Sequence, residues 1–364
     1  MDTKYMKRAL SLAEKGAGFV NPNPMVGAII VKDEKIIGEG YHKYFGGNHA
    51  EVEALASATE NPKDGVMYVT LEPCSHFGKT PPCVNAIIES GIKKVIIAML
   101  DPNPIVSGRG VEILKNNGIE VITGILEDEA KKLNEIFIKY ITSKTPFCLL
   151  KSAMTLDGKI ATKFSDSKWI TGTLSREYVH RLRHRYAAIM VGVNTVLVDN
   201  PQLTVRIPGF KGKNPVRVIV DSRCKIPLDA NVIKTASQIK TIVATTDMAD
   251  TDKIEKLKDF GAEIVILPTE NERVSLSNLM KKLGSMDIDS ILLEGGGTLN
   301  YSCLEAGIVD KVNFFVAPKI IGGHLAKTPV EGDGVPMIMN AFSIKDISVH
   351  NFGEDILIEG YVKN

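Results

Sequence analysis

The sequence predicts an α/β protein made of two successive units. Three observations lead there. Short apolar runs bounded by glycine, proline or charged turns alternate with segments whose apolar residues recur at helical spacing, which describes a sheet covered by helices. The alternation opens on a hairpin, closes on a long helical segment and restarts at Thr145-Pro146. The 364 residues suit two or three domains. The expected units are residues 1–144 and 145–364.

In the first unit, Met6, Ala9, Leu10 and Ala13 mark a helix, with Asp2 or Thr3 as its cap and Gly16 or Gly18 as its stop. MVGAIIV and IIGEGYH form a hairpin about the turn KDEK. HAEVEALASA is a helix, GVMYVTLE a strand, CVNAIIESG a helix closed by Gly91 and KKVIIAML a strand. VEILKNNG is a helix and GIEVITGI a strand, and EDEAKKLNEIFIKYITSK reads as one long closing helix. In the second unit FCLLKSAMT is a strand, and DGKIA looks like a turn into another. SREYVHRLRHRY is a helix, and AAIMVGVNT, NPVRVIVDS, KTIVATT and AEIVILP are strands. VSLSNLMKKLG is a helix, DSILLEGGG a strand ending in glycines, TLNYSCLEAG a helix and VDKVNFFVAP a strand.

Composition narrows the function. The formal net charge is +1 and no basic stripe is visible, so nucleic acid is not an expected partner. The N-terminal stretch MDTKYMKRALSLAEKGAG mixes acids and bases without a long apolar core, and no run reaches membrane-spanning length. A cytoplasmic protein without a membrane partner is expected. Five cysteines are too few, and odd in number, for a disulfide framework. Their thiols are free, metal-bound or catalytic.

Two thiols stand out in LEPCSHFGKTPPC, Leu71–Cys83. Cys74 follows Pro73 at a strand end, and Cys83 follows Pro81-Pro82 at a helix start. The positive end of a helix favours thiolate over thiol. His49 opens another helix, with Glu51 in its first turn, where side chains lean back toward the N-terminus. One ion beyond these ends can meet His49, Cys74 and Cys83, leaving a fourth position for water, with Glu51 moving its proton. Two plainer readings stay open: inert buried cysteines, and a closed structural zinc site with His42 or His76 as fourth ligand.

The order H-x-E then P-C is the one zinc deaminases use. NPNPMVGAIIV, His49-Ala-Glu51, LEPCSHFGKTPPC and DPNPIVSGRG together resemble the pyrimidine deaminase half of the bifunctional riboflavin-biosynthesis deaminase–reductases. The C-x8-C spacing departs from the C-x-x-C of most cytidine-deaminase-like proteins and is characteristic of the riboflavin branch. The resemblance implies a cytidine-deaminase-like three-layer α/β/α domain. It also implies one zinc on His49, Cys74 and Cys83, Glu51 as proton shuttle, and a phosphorylated diaminopyrimidinone substrate held by Asn23, His42, His76, Lys79 and Asn103.

KSAMTLDGKIA, SKWITG, VGVNTVLVDNPQLTVR and LLEGGGTLN resemble the reductase half of the same family, which is similar to dihydrofolate reductase in fold. Glycines at a strand–helix turn can cradle phosphate, although Glu294-Gly-Gly-Gly-Thr298 is not a G-x-G-x-x-G fingerprint. The implied cofactor is NADPH, lined by Ala153, Trp169, Thr195, Asp199, Ser222, Gly296, Gly297 and Thr298. The implied substrate contacts are Ser167, Arg183, Leu203, Arg206 and Glu294, with Arg183 and Arg206 as a possible bidentate phosphate clamp. A homo-oligomer is also implied. The second reading is a nucleoside or nucleic-acid deaminase joined to an unrelated C-terminal binding domain. The third is a zinc-stabilised binding module without catalysis.

Overall fold

A computed structural model describes residues 2–75, 82–103 and 106–363. The chain divides into two compact units, Met1–Lys144 and Thr145–Asn364.

In the first unit the described elements run α1 (Asp2–Ala13), β1 (Gly27–Lys32), β2 (Lys35–Tyr41), α2 (Ala50–Ala56), β3 (Val66–Leu71), α3 (Cys83–Glu89), β4 (Lys94–Met99), α4 (Arg109–Asn116), β5 (Glu120–Thr123), α5 (Glu127–Leu133) and α6 (Glu135–Ser143). The sheet order is β2-β1-β3-β4-β5. β1 is antiparallel to β2 and β3, and β3, β4 and β5 run parallel. Alternation along the strands makes two cores. Ala28, Ile30, Met67, Val69, Val95 and Ile97 face Ala54 of α2, Ile87 of α3 and Leu114 of α4. Ile29, Val31, Tyr68, Ile96 and Ala98 face Met6 and Ala9 of α1 and Ala130 of α5. The result is three layers, α/β/α.

Helix α2 lies at backbone contact on β2. A Cβ on Gly40 would stand 2.3 Å from Ala54 N and 2.4 Å from Ala50 O. No side chain fits there, and this closeness sets where α2 begins.

The closing segment is two helices rather than one. Asn134, at φ −102 and ψ 22, separates α5 from α6. Its buried side chain accepts from Met25 N at 2.8 Å and donates to Met25 O at 3.0 Å. That long-range pair pins the Asn21–Met25 loop, and helical periodicity carries no sign of it.

In the second unit the elements run β6 (Phe147–Thr155), α7 (Thr173–Arg185), β7 (Ala188–Gly192), α8 (Val193–Asp199), β8 (Val216–Val220), α9 (Asn231–Lys234), β9 (Thr241–Thr245), α10 (Thr251–Asp259), β10 (Glu263–Ile266), β11 (Thr269–Glu270), β12 (Arg273–Val274), α11 (Leu276–Gly284), β13 (Ser290–Leu293), α12 (Gly297–Glu305), β14 (Lys311–Ala317), β15 (Ile344–Phe352) and β16 (Asp355–Val362). Nine strands form one sheet in the order β10-β9-β8-β7-β13-β6-β14-β16-β15, and β11 and β12 form a small ribbon. The sheet is parallel from β10 to β14, and β16 and β15 add antiparallel. Leu150, Met190, Val218 and Leu293 pack on Leu279 and Leu283 of α11 and Cys303 of α12. Ile189, Val191, Ile219 and Val243 pack on α8, α9 and α10 through Val196, Val232 and Leu257. α7 covers Phe315 and Leu357 with Val179.

DGKIA is a turn but leads into no strand. Asp157 accepts from Thr155 Oγ1 at 2.6 Å, Gly322 N at 2.7 Å and Ile321 N at 3.2 Å. Lys159 N bonds the Thr155 hydroxyl at 3.0 Å, so the segment closes on itself instead of extending. All five cysteines are free, and no helix among the described residues is long and apolar enough to cross a membrane.

The α2–β2 contact yields a prediction. Gly40→Ala must push α2 off the sheet, so it destabilises the N-terminal unit by about 1–3 kcal/mol, as overpacking does. Thermal unfolding and metal content of the purified chain check this. Unchanged values for both would mean the contact is not required.

Candidate active sites of the two units

His49 is the N-cap of α2, in extended conformation, and Cys83 is the first residue of α3. Cys74 lies just beyond β3. His49 Nδ1 stands 3.2 Å from Cys83 Sγ and 3.5 Å from Cys74 Sγ. Cys83 N donates to Cys74 Sγ at 3.3 Å, and Val84 N donates to Cys74 O at 3.3 Å. One donor atom from each residue falls within 4.8 Å of the other two.

Electrostatics mark the same point. Hydrogen bonding from Cys83, and then from His49, holds the Cys74 thiol down to about 4. The same pairing, with burial, pushes the Cys83 thiol up. Thiolate and imidazole ligands bind a divalent cation deprotonated, so the pairing that favours a Cys74 thiolate suits a metal. Glu51 is 3% exposed, and burial pushes its carboxyl up to about 7. Its Oε2 is buried without a hydrogen-bond partner. A His–Cys–Cys donor set beside an orphaned carboxylate oxygen fits a catalytic zinc ion better than it fits inert thiols.

The cluster opens into a cavity of about 350 Å³. Asn23, His42 and Asn103 line it with His49, Glu51 and Cys74. His42 is not a fourth ligand: its Nε2 meets Asn23 Nδ2 at 3.1 Å and its Nδ1 meets Asn48 O at 2.9 Å. Burial lowers its pKa. His76 and Lys79 lie outside the described residues. Sequence reasoning missed the apolar wall, with Phe45, Phe137 and Ile141, and it missed Glu72. Phe137 and Ile141 stand four apart on α6, a helix-face spacing that offered a signal.

In the second unit Arg183 of α7 and Glu294, just after β13, form a bidentate pair: Nε to Oε1 at 2.7 Å and Nη2 to Oε2 at 2.9 Å. Arg183 Nη1 bonds Thr204 O at 3.3 Å. The expected phosphate clamp therefore meets an arginine whose fork is already filled by Glu294. Lys151 of β6, not anticipated, stands 3.6 Å from Glu294 Oε2. Burial works to raise the Glu294 carboxyl, but Arg183 and Lys151 overcome it and bring it down to about 2. Burial, reinforced by Arg183 and Arg206, lowers His180 to about 4, and its Nδ1 accepts from Arg206 N at 3.3 Å. The exposed Arg206 guanidinium bonds Thr204 Oγ1 at 2.9 Å.

The glycine turn joins β13 to α12, whose first turn has no side-chain cap. A Cβ on Gly295 would meet Asn300 Oδ1 at 2.8 Å, and one on Gly297 would meet Thr328 O at 2.6 Å. Gly296 is open, with only Thr195 Oγ1 at 4.0 Å from its Cβ position. Uncapped helix amides beside an open glycine fit a phosphate-bearing cofactor, and the turn brings Thr195 and Gly296 together. Asp199 ends α8 half-buried, within electrostatic reach of Lys168. Trp169 is 63% exposed under the Arg176 guanidinium. Ala153 lies on β6 and Ser167 in the loop before α7, both half-buried, and Thr298 follows Gly297 in α12. Ser222 Oγ accepts from Val274 N at 3.1 Å. Leu203 is buried in the core under α8, so its side chain serves packing.

Comparison with known proteins agrees with this division. The protein-family model "Cytidine and deoxycytidylate deaminase zinc-binding region" matches residues 1–99, and "RibD C-terminal domain" matches residues 146–358. The riboflavin biosynthesis protein RibD of Actinobacillus pleuropneumoniae is 49% identical over 98% of this chain and 94% of its own. RibD of Escherichia coli is 37% identical over 98% of each chain. The solved structure of Acinetobacter baumannii RibD is 36% identical, with a TM-score of 0.89 over 100% of this chain and 99% of its own. A Thermotoga maritima protein, described as a diaminohydroxyphosphoribosylaminopyrimidine deaminase/5-amino-6-(5-phosphoribosylamino)uracil reductase, is 43% identical, with a TM-score of 0.85 over 100% and 99%. The C-terminal match excludes an unrelated binding domain. With a cytidine-deaminase-like zinc unit followed by a reductase unit, the chain belongs to the RibD family of riboflavin-biosynthesis deaminase–reductases.

Proposed function

We propose that the N-terminal unit hydrolytically deaminates 2,5-diamino-6-(5-phosphoribosylamino)pyrimidin-4-one, and that the C-terminal unit reduces the ribosyl group of the product to ribityl with NADPH. The observation that carries the reading is the meeting of His49, Cys74 and Cys83 beside buried Glu51, whose Oε2 has no hydrogen-bond partner, at a cavity that His49, Glu51 and Cys74 line. The T. maritima relative's description supports the substrate. A cytoplasmic, self-associating enzyme goes with this reading.

For the first step, His49, Cys74 and Cys83 would hold a zinc ion, which would supply Lewis acidity to a water molecule. Glu51 takes a proton and returns it to the departing amine, a task suited to a carboxyl whose burial disfavours charge. Asn23 and Asn103 present amides to the edges of the ring, since amides both donate and accept. His42 holds Asn23 in place through its Nε2 contact. His76 and Lys79, outside the described residues, complete the proposed contacts to ring and phosphate.

In the second step, NADPH supplies the reducing equivalent. Thr195, Gly296, Gly297 and Thr298 offer hydroxyl and amide donors to its phosphates, while Ala153, Trp169, Asp199 and Ser222 line the rest of its site. Ser167, Arg206, the Arg183–Glu294 pair and the backbone at Leu203, whose side chain is packed in the core, border the substrate. Arg206, being exposed, is the phosphate contact. Arg183 acts by holding Glu294.

Ammonia release from the diaminopyrimidine by zinc-loaded protein tests the first step, and subsequent NADPH oxidation tests the second. Glu51→Gln keeps zinc and lowers the deamination rate by about 10²-fold or more, the usual weight of a general acid–base group. Full deaminase activity in that variant sinks the role. Chelation abolishes ammonia release but leaves NADPH oxidation on already deaminated substrate intact; loss of both would break the division of labour.

Glu294 gives a pH prediction. Its folded pKa, about 2, lies below the ordinary carboxylate value. Its ion pairing therefore stabilises the fold above about pH 4.5 and is lost as pH falls toward 2. Glu294→Gln removes that part of the acid dependence of unfolding. It also costs about 3–5 kcal/mol at neutral pH, because Arg183 and Lys151 are left buried and uncompensated. An unchanged acid limb would contradict the pairing.

A further inference from the structure

The two loops that carry Asn23 and Asn103 echo each other in sequence, Asn21-Pro-Asn-Pro and Asp101-Pro-Asn-Pro. Each is tied to the fold by one buried side chain. Asn134 holds Met25 through both of its backbone groups. Glu72 does more. It follows β3 and is 5% exposed. Oε2 accepts from Asp101 N at 3.1 Å and Gly108 N at 3.0 Å. Oε1 accepts from Gly110 N at 2.9 Å and Val111 N at 3.3 Å. A single carboxylate thus takes backbone bonds from both ends of the segment that contains Asn103.

The segment closes on itself between those ends. Asn103 N donates to Asp101 Oδ1 at 2.9 Å. Val106 N and Ser107 N donate to Asn103 O at 3.0 and 2.9 Å. Gly110 packs closely on the strand end and leaves no room for a side chain, since a Cβ would lie 2.3 Å from Pro73 O and 3.2 Å from Glu72 Oε1. Asn103 is therefore placed relative to Cys74, two residues beyond Glu72, through a continuous chain of hydrogen bonds. Zinc ligand and ring contact share one anchor.

From this geometry we infer that Glu72 is a positioning residue for the deaminase reaction: it holds Asn103 at a fixed place in the wall of the cavity that Glu51 also lines. Its carboxylate oxygens are spent on backbone amides. The reactive role of the inference rests on the deaminase reading above, whereas the clamp itself does not. Glutamine has the same shape, but one of its two head atoms is a donor. It cannot accept from all four amides, and two N–H groups of the segment then face an NH₂.

The test uses the full zinc-loaded chain and three readouts. In Glu72→Gln, KM for the diaminopyrimidine rises about tenfold, the scale of one or two lost hydrogen bonds to a charged acceptor. Zinc content stays at one per chain, and NADPH oxidation on deaminated substrate, measured in the same preparation, is unchanged. Amide exchange accelerates in peptides covering Asp101–Val111 and not in those covering Asn21–Met25. Gly110→Ala, which displaces the segment against Pro73 O while leaving the Glu72 residue itself in place, gives the same KM rise and local exchange. Unaltered KM, or unaltered exchange over Asp101–Val111, in both variants overturns the inference. If wild-type protein releases no ammonia, the deaminase reading fails, and the exchange experiment alone decides whether Glu72 clamps the segment.

Discussion

Three donor atoms within 4.8 Å of one another constrain the whole N-terminal unit. They come from two helix beginnings and one strand end, so three chain segments must arrive together. Backbone contact between α2 and Gly40 fixes the start of the first helix. Cys83 is fixed by the start of α3 and by its N–H bond to Cys74 Sγ. Because each ligand sits where an element ends, small errors in packing would appear directly as errors at the site. Rigid layers with Ile29, Ile30, Ile96 and Ile97 buried on both sheet faces keep those ends in place.

The same economy governs the loops. Asn134 and Glu72 each tie a cavity-lining loop to the fold through a buried polar side chain bonded to backbone. Such anchors are long-range: Asn134 lies 109 residues from Met25 and Glu72 38 from Gly110. In the second unit the Lys151–Glu294–Arg183 group plays a comparable part, with two cations set against one buried carboxylate. That leaves the surroundings of Glu294 cationic, and Arg206 is the exposed member nearest to them.

These anchors explain what could be read in the sequence. The His49, Cys74 and Cys83 cluster, with Glu51 beside it, was legible because these residues lie beside prolines and helix starts, and local spacing reports element ends. The central strands were legible because both faces of β1, β3, β4, β7 and β8 are apolar. The break between α5 and α6 was not, since Asn134 is compatible with a helix until Met25 arrives beside it. The turn at DGKIA was legible, but the strand expected after it was not borne out, because side-chain bonds at Thr155 and Asp157 close the segment on itself. The hairpin of β15 and β16 was missed because its burial does not follow its apolar residues: Ile347, Val349, Ile356 and Ile358 are exposed while Asp355 is buried. Arg183 read as a phosphate clamp because nothing local announces a partner 111 residues away.

The central claim is that His49, Cys74 and Cys83 form one open metal site. X-ray absorption at the zinc edge of the purified full-length chain tests it most directly. The account predicts one zinc per chain with two sulfur and one imidazole neighbours, the remaining position taken by a light atom from outside that set, and loss of one sulfur in Cys83→Ser. Four protein ligands in a closed shell, or a zinc without sulfur neighbours, would contradict it.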